Sequence, residues 1–253
     1  MKTFLISSVF LFVATASVAA PWNHESVSER SGRLSATASV VIENVNGKVV
    51  LQTWDEDSYH VEITKKSRTE ENLDLMEVHL ESSLDHLSLN VHIPKKKGWF
   101  SMSRIQGSVD LVVSVPASVD LEKIRTVNGS VSLAGFSNHI DVSSVNGPIR
   151  AQDLGGTAHL NTVNGSIEAS FTRVRAAESL EFSSVNGAIR LDFPADLNAD
   201  LRTSVVNGRI HCDFPLTLTD GSSSRKLRGR IGEGGLDLSA STVNGSIHVR
   251  ELP

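Results

Sequence analysis

The sequence holds a single cysteine, Cys212, in 253 residues. That excludes an internal disulfide framework and any metal site built on several thiolates. Aromatic residues are only 5% of the chain, so a core has to be filled mainly by aliphatic side chains. An excess of positive charge is missing as well. The 24 Lys and Arg face 29 Asp and Glu for a net charge of −5, which argues against a nucleic-acid binder that works by counterion release. Beyond residue 20 no apolar run approaches the ~18 residues needed to cross a bilayer. No stretch has a convincing helical period, and H-x-H, H-E-x-x-H and G-x-S-x-G motifs do not occur. Gly232-Glu233-Gly234-Gly235 lacks the Lys and Ser or Thr that complete a phosphate loop and reads as a turn. No cofactor is expected.

What is present begins with an address. Residues 1–20, MKTFLISSVFLFVATASVAA, carry one cation (Lys2), an apolar stretch from Phe4 to Val13 and then small residues, the composition of a secretory signal peptide. The expectation is an exported protein, periplasmic or secreted, with no transmembrane segment. In such an oxidising compartment the lone thiol should be buried or paired between chains. Residues 21–32 are polar and read as a flexible lead-in. Residues 33–253 read as one β-repeat domain, irregular over 33–104 and regular over 105–250.

The regular part is organised by Val-Asn-Gly, which occurs seven times, with bends expected at Asn46-Gly47, Asn128-Gly129, Asn146-Gly147, Asn164-Gly165, Asn186-Gly187, Asn207-Gly208 and Asn244-Gly245. From Asn128 to Asn207 the asparagines recur at 18, 18, 22 and 21 residues, the mark of a repeat architecture. The last interval, 37, spans about two periods, and Leu227–Ile231 is expected to fill the missing place. Three residues after each Asn stands a β-branched residue (Val49, Val131, Ile149, Ile167, Ile189, Ile210, Ile247). Aliphatic or small residues recur five after, Cys212 among them, and mostly apolar ones four before. Polar residues lie between these columns, the period of strands with one buried face. Each unit is therefore strand, bend, strand, and Cys212 reads as a core residue. Asn-Gly supplies the positive φ that a tight bend needs.

Two folds share this pattern: an antiparallel β-meander of Asn-Gly hairpins, or a β-solenoid, parallel β-helix-like, of ~20-residue repeats. Charge helps to choose. Five before Asn the repeats carry Lys123, Asp141, His159, Glu181 and Arg202; four after, three carry Arg150, Glu168 and Arg190. Sign alternates down each column, as expected if equal positions of neighbouring repeats lie side by side. The solenoid is favoured. Its N-terminal portion differs: a strand at Tyr59–Thr64, a charged loop at 65–72, then a plain hairpin from Met76–Glu81 and Leu87–Ile93.

The early Val45-Asn46-Gly47-Lys48-Val49 followed by Trp54-Asp55, the Val115-Pro116 element, the serial T-V-N-G-S-I units and the Leu227–Gly235 stretch before the last Thr242–Ile247 resemble the bacterial putative-adhesin family of exported β-strand-repeat proteins. The resemblance spans about residues 33–250. It implies an all-β repeat fold at the cell envelope and a non-catalytic binding or structural role. It carries over no catalytic residue, because the family has no established biochemical activity.

Other chemistry is weighed on the residues. Glycoside hydrolysis needs two carboxyl groups ~5–9.5 Å apart. Stacked strands are ~4.8 Å apart, so Asp141 and Glu181, with His159 between them, would fall in that range. A carbohydrate-active β-helix enzyme is thus an alternative, as is an envelope-stress or partner-binding component. Asp141, His159 and Ser183 could also be drawn as a triad, but serine is too abundant on the outer face for that to mean much. His211 and His248 occupy equivalent columns, with the degenerate repeat near Arg228 expected to separate them. Asn128, Asn164 and Asn244 begin N-G-S sequons only because of the repeat. Lys95, Lys96, Lys97, Trp99 and Phe100 form a candidate interaction loop for an anionic envelope polymer or a lipid headgroup layer, and the partner expected of the chain is a cell-surface polymer or an envelope protein.

Overall fold

A computed structural model describes residues 22–94, 107–175, 178–219 and 221–252. The expected signal peptide, and the loop of Lys95, Lys96, Lys97, Trp99 and Phe100, lie outside the described residues. The chain opens with β1 (His24–Arg33), β2 (Ser39–Asn46), β3 (Val49–Trp54) and β4 (Ser58–Ser67). The short helix α1 (Glu70–Asp74) leads into the hairpin β5 (Glu77–Ser82) and β6 (His86–His92). β7 (Gly107–Pro116) precedes five strand–bend–strand units. These are β8 (Asp120–Asn128) with β9 (Val131–Ala134), β10 (Ile140–Asn146) with β11 (Ile149–Leu154), β12 (Ala158–Asn164) with β13 (Ile167–Phe171), β14 (Ser179–Asn186) with β15 (Ile189–Phe193), and β16 (Ala199–Asn207) with β17 (Ile210–Cys212). Short strands β18 (Leu216–Leu218) and β19 (Lys226–Ile231) come before a last unit, β20 (Leu236–Asn244) with β21 (Ile247–Glu251).

Each unit sends its first strand to one sheet and its second strand to another, so the molecule is an all-β solenoid of two facing sheets. The first sheet has the order β1-β4-β7-β3-β9-β11-β13-β15-β21-β17; the second runs β18-β19-β16-β20-β14-β12-β10-β8-β2-β6-β5. Neighbouring repeats pair in parallel and in register, Asn146 opposite Asn128 and Asn164, Asn164 opposite Asn186. The antiparallel meander is thereby ruled out for the repeats; the expected hairpin of β5 and β6 is antiparallel, from Glu77 opposite His92 to Ser82 opposite Leu87. Inward columns fill the space between the sheets, with Ile42, Ile124, Val142, Leu160 and Phe182 all fully buried. Two large rings, Phe171 and Phe193, stack at 5.1 Å inside.

Four expectations change. Of the expected lead-in 21–32, residues 24–32 are not loose, because β1 pairs antiparallel with β4 along its whole length, His24 to Arg33. The charged stretch 65–72 is strand through Ser67, then α1: Lys66 turns outward to Asp110 at 2.9 Å, and the apolar Leu73 and Met76 are buried. Cys212 is half-buried rather than core, since β17 is the edge strand of its sheet. Burial pushes its thiol pKa up all the same.

The fourth concerns the end of the stack. Leu227–Ile231 is no degenerate rung: as β19 it runs antiparallel to β16, Leu227 and Ile231 turning inward and Lys226, Arg228 and Arg230 outward. No place is missing. The C-terminal unit inserts between two units that are consecutive in sequence, so Asn244 lies opposite both Asn186 and Asn207.

Candidate functional site

The repeated bend generates the surface. In the order Asn46, Asn128, Asn146, Asn164, Asn186, Asn244, Asn207, each Asn after the first donates from Nδ2 to the Oδ1 of the one before it, six bonds all of 2.8 Å. The sequons are therefore side chains of a ladder. Two residues earlier, buried hydroxyls reach across to a bend carbonyl: Ser144 to Gly129 O, Thr162 to Gly147 O, Ser184 to Gly165 O and Thr242 to Gly187 O, at 3.0–3.2 Å. Thr126 has no partner for its buried Oγ1. The equivalent acceptor, Gly47 O, is taken by Asn44 Nδ2 at 3.3 Å.

For five of the seven bends the glycine is needed for a reason other than the expected positive φ. Of the seven, Gly47 has φ 119° and Gly147 has φ 158°, and none of the other five lies in the left-handed region. Close approach imposes glycine instead. A Cβ on Gly129, Gly147, Gly165, Gly187, Gly208 or Gly245 would stand closer than 3.0 Å to the carbonyl oxygen of the neighbouring bend glycine.

Outward positions form rows that run across the strands. The residue before each Asn is a valine, and Val127, Val145, Val163, Val185, Val243 and Val206 are 39–55% exposed, so they make an apolar ridge along the bends. The next outward row on the second sheet is Arg125, Ser143, Asn161, Ser183, Ser241, Ser204 and Lys226, paired in register strand by strand. Beyond it run Asp141, His159, Glu181, Ser239, Arg202 and Arg228. Asp141 and Glu181 do flank His159 as the spacing implies, on an open sheet face. Ser183 belongs to the other row, and no hydrogen bond joins it to His159 among the described residues. Arg202 is not beside Glu181; it pairs with Asp237 at 2.6 Å.

The first sheet carries the other charge column. Glu168 accepts from Arg190 at 3.0 Å and lies 3.4 Å from Arg150, as the alternating signs imply. Arg250 holds Asp192 through two bonds of 2.7 and 2.9 Å. Next to them His211 and His248 are direct neighbours, ring centroids 6.1 Å apart, against the expectation that they would be separated. Insertion of β21 beside β17 brings them together. Among the described residues no group of His, Cys, Asp and Glu is arranged to hold a metal.

The histidine pair has a pH consequence. Burial first, then His211, Arg190 and Arg250, lower the pKa of His248, while Asp213 opposes them. The unfolded chain therefore takes up a proton near the ordinary value of 6.5 that the folded chain resists. Stability should be unaffected above that value and fall below it. Urea midpoints at about pH 7.5 and about pH 5.5 should differ more for the native protein than for His248→Asn. An equal difference in both would show that the pair does not contribute.

Two features were missed from sequence. One is the valine ridge, although the parity of the columns already places the residue before Asn outward. The other is a cleft of about 630 Å³ at the β18–β19 edge, lined by Asp200, Arg202, Thr217, Thr219, Arg228 and Arg230 among others. Its residues come from three strands whose pairing no periodicity announces.

Comparisons bear on this architecture. A putative cell adhesion protein from Clostridium sporogenes ATCC 15579 is similar in structure with a TM-score of 0.51 at 10% identity, over 90% of this chain and 100% of that one. A putative adhesin from Bacteroides fragilis NCTC 9343 matches over 90% of this chain and 97% of its own at 11% identity, with a TM-score of 0.45. At such identities the first likeness is one of fold alone. No curated protein matches the sequence. The pattern of the Toastrack DUF4097 family matches residues 123–250, from within β8 to within β21. That is just over half of the chain, and the chain belongs to the Toastrack DUF4097 family.

Proposed function

We propose that this protein is a non-catalytic, exported binding protein of the cell envelope that holds an extended surface polymer on the outer face of its second sheet. The observation that carries this reading is the pairing of an apolar ridge with a parallel row of hydroxyl and amide groups. Six valines 39–55% exposed lie on consecutive strands beside Ser143, Asn161, Ser183, Ser241 and Ser204. Strands repeat every ~4.8 Å, so both rows offer one contact per step to a chain laid across them. Solenoids use extended surfaces of this kind for binding. A monomer exposes so regular an apolar line at a cost in solubility, which favours an interaction role. The adhesion-type descriptions of the similar structures agree with this reading, and the signal-like residues 1–20 supply its location.

The experiment is retention of the purified protein on insoluble cell-wall polysaccharides and on peptidoglycan. Replacing Val163 and Val185 together by threonine, which keeps the shape and adds no charge, should reduce retention at least about fivefold, the loss of roughly 1 kcal/mol of apolar contact. Both side chains already face solvent, so the melting temperature should hardly move. Retention unchanged in this variant would end the assignment of the ridge as the contact surface.

A further inference from the structure

The outward rows of the second sheet end in an imbalance of charge. On β16 and β19, Arg202 lies directly opposite Arg228, and Ser204 opposite Lys226. Like charges facing each other across a strand pair destabilise a sheet. Two of the arginines are neutralised locally. Arg230 Nε donates to Asp200 at 3.0 Å, and Arg202 Nη1 to Asp237 at 2.6 Å. Asp200 stays a carboxylate here: the Gly235 N–H, then Arg230, lower its pKa. Arg228 and Lys226 have no acidic partner among the described residues. The contrast with the first sheet is direct, where Arg150 and Arg190 share Glu168 and Arg250 is held by Asp192. In a chain of net charge −5, this edge concentrates cations that no described acidic residue answers.

Geometry adds a container. Arg202, Arg228 and Arg230 line the cleft of about 630 Å³ together with Thr217 and Thr219. The row of hydroxyl and amide groups runs beside it, since Ser183, Ser241, Ser204 and Lys226 are consecutive partners and Lys226 stands two residues from Arg228 on β19. Guanidinium groups with free N–H donors bind carboxylate and phosphate oxygens in a forked geometry.

From these observations we infer that the β16–β19 edge is an oxyanion-binding site and that the polymer held by the second sheet is an acidic polysaccharide, with Arg228 gripping its carboxylate groups. The inference rests on the polymer-binding reading above and names the chemistry of the ligand. The row along the sheet supplies hydroxyl and amide contacts to the sugars; the cleft supplies charge at one end. A concave site at the end of a linear track suits a chain better than a flat lipid surface.

The test uses the full exported chain and two soluble probes of one backbone, polygalacturonate and its methyl ester, with inorganic polyphosphate as a third. Polygalacturonate should bind and its ester should bind at least about tenfold more weakly. The difference should vanish between about 0.01 M and about 1 M ionic strength, as screening shortens from ~30 Å to ~3 Å. Arg228→Gln should weaken polygalacturonate binding about tenfold without a change in melting temperature, as should Lys226→Gln to a smaller extent. Equal binding of the acid and the ester, or full affinity in Arg228→Gln, would overturn the inference. If the ester and neutral cell-wall polysaccharides are still retained through the valine ridge, the polymer-binding reading survives that result; if nothing is retained, both fall. Stronger binding of polyphosphate than of polygalacturonate would overturn the carboxylate assignment in favour of phosphate. Salt-sensitive self-association, without binding of any probe, would replace it by a second copy of this chain, whose opposite sheet edge carries Glu77 and Glu81.

Discussion

Replacing Gly165 by valine should destabilise the protein by about 3 kcal/mol or more, and lower its melting temperature by roughly 6–12 °C. The cost comes from the stack and not from the conformation of the residue itself. A Cβ at this position would lie 2.6 Å from the carbonyl carbon of Gly147, and closer still to its oxygen. Backbone cannot step aside there as a flexible side chain would. The same carbonyl accepts from Thr162, Gly165 N donates to Asn186 O at 3.0 Å, and Gly165 O accepts from Ser184. Pushing the bends apart therefore strains several bonds at once, including the asparagine ladder on either side. Gly155 makes the control. A Cβ there meets nothing closer than 3.7 Å, and its φ lies outside the positive range. Gly155→Ala should be neutral or stabilising by up to about 1 kcal/mol, because it restricts the unfolded chain. Thermal unfolding of the two variants side by side checks the argument. A Gly165→Val protein that melts with the native one would mean that the bends do not stack as closely as described.

That prediction also marks what the sequence could and could not convey. The repeat, the inward columns and the side-by-side placement of equal positions were legible, because periodicity and alternating charge are local signals that survive in one dimension. Arg150, Glu168 and Arg190 lie together as their signs require. The reason for glycine was not legible: Asn-Gly suggests a positive φ, and only the distance between neighbouring bends reveals that space is the constraint. Strand order was hidden for a similar reason. An interval of 37 residues reads naturally as two periods, yet the chain spends those residues on β18 and β19, an antiparallel flap, and then returns to insert its last unit. The cleft at Arg228 depends on that flap, so it too could not be foreseen. The order of β1 was missed because its residues are mostly exposed and polar; its strand state comes from pairing with β4, not from a buried face.

A chain that ends at Gly234 should lose amide protection throughout residues 199–231, while β2 and the repeats from β8 to β13 remain protected. The inserted unit supplies Leu236, Leu238, Ile247 and Val249, each fully buried. At about 1.5–3 kcal/mol each these four account for roughly 6–12 kcal/mol, as large as the whole stability of many domains. Their removal also takes the only partner of β17 and one of the two partners of β16 among the described residues, and breaks the asparagine ladder between Asn186 and Asn207. The flap of β18 and β19 hangs on β16 and should go with it. A competing outcome is built into the repeat, because β16 carries the same Val-Asn-Gly and could slide over to stack on β14. The core opposes that move. Ala240 now lies between Phe182 and Thr203, and direct stacking would set the polar Thr203 side chain against the Phe182 ring in place of the Ala240 methyl. A separate peptide of residues 235–252 should therefore restore protection to 199–231 by occupying the slot. Protection of β16 in the shortened chain without the peptide would show that the slide wins, and that the inserted unit is dispensable for closing the stack.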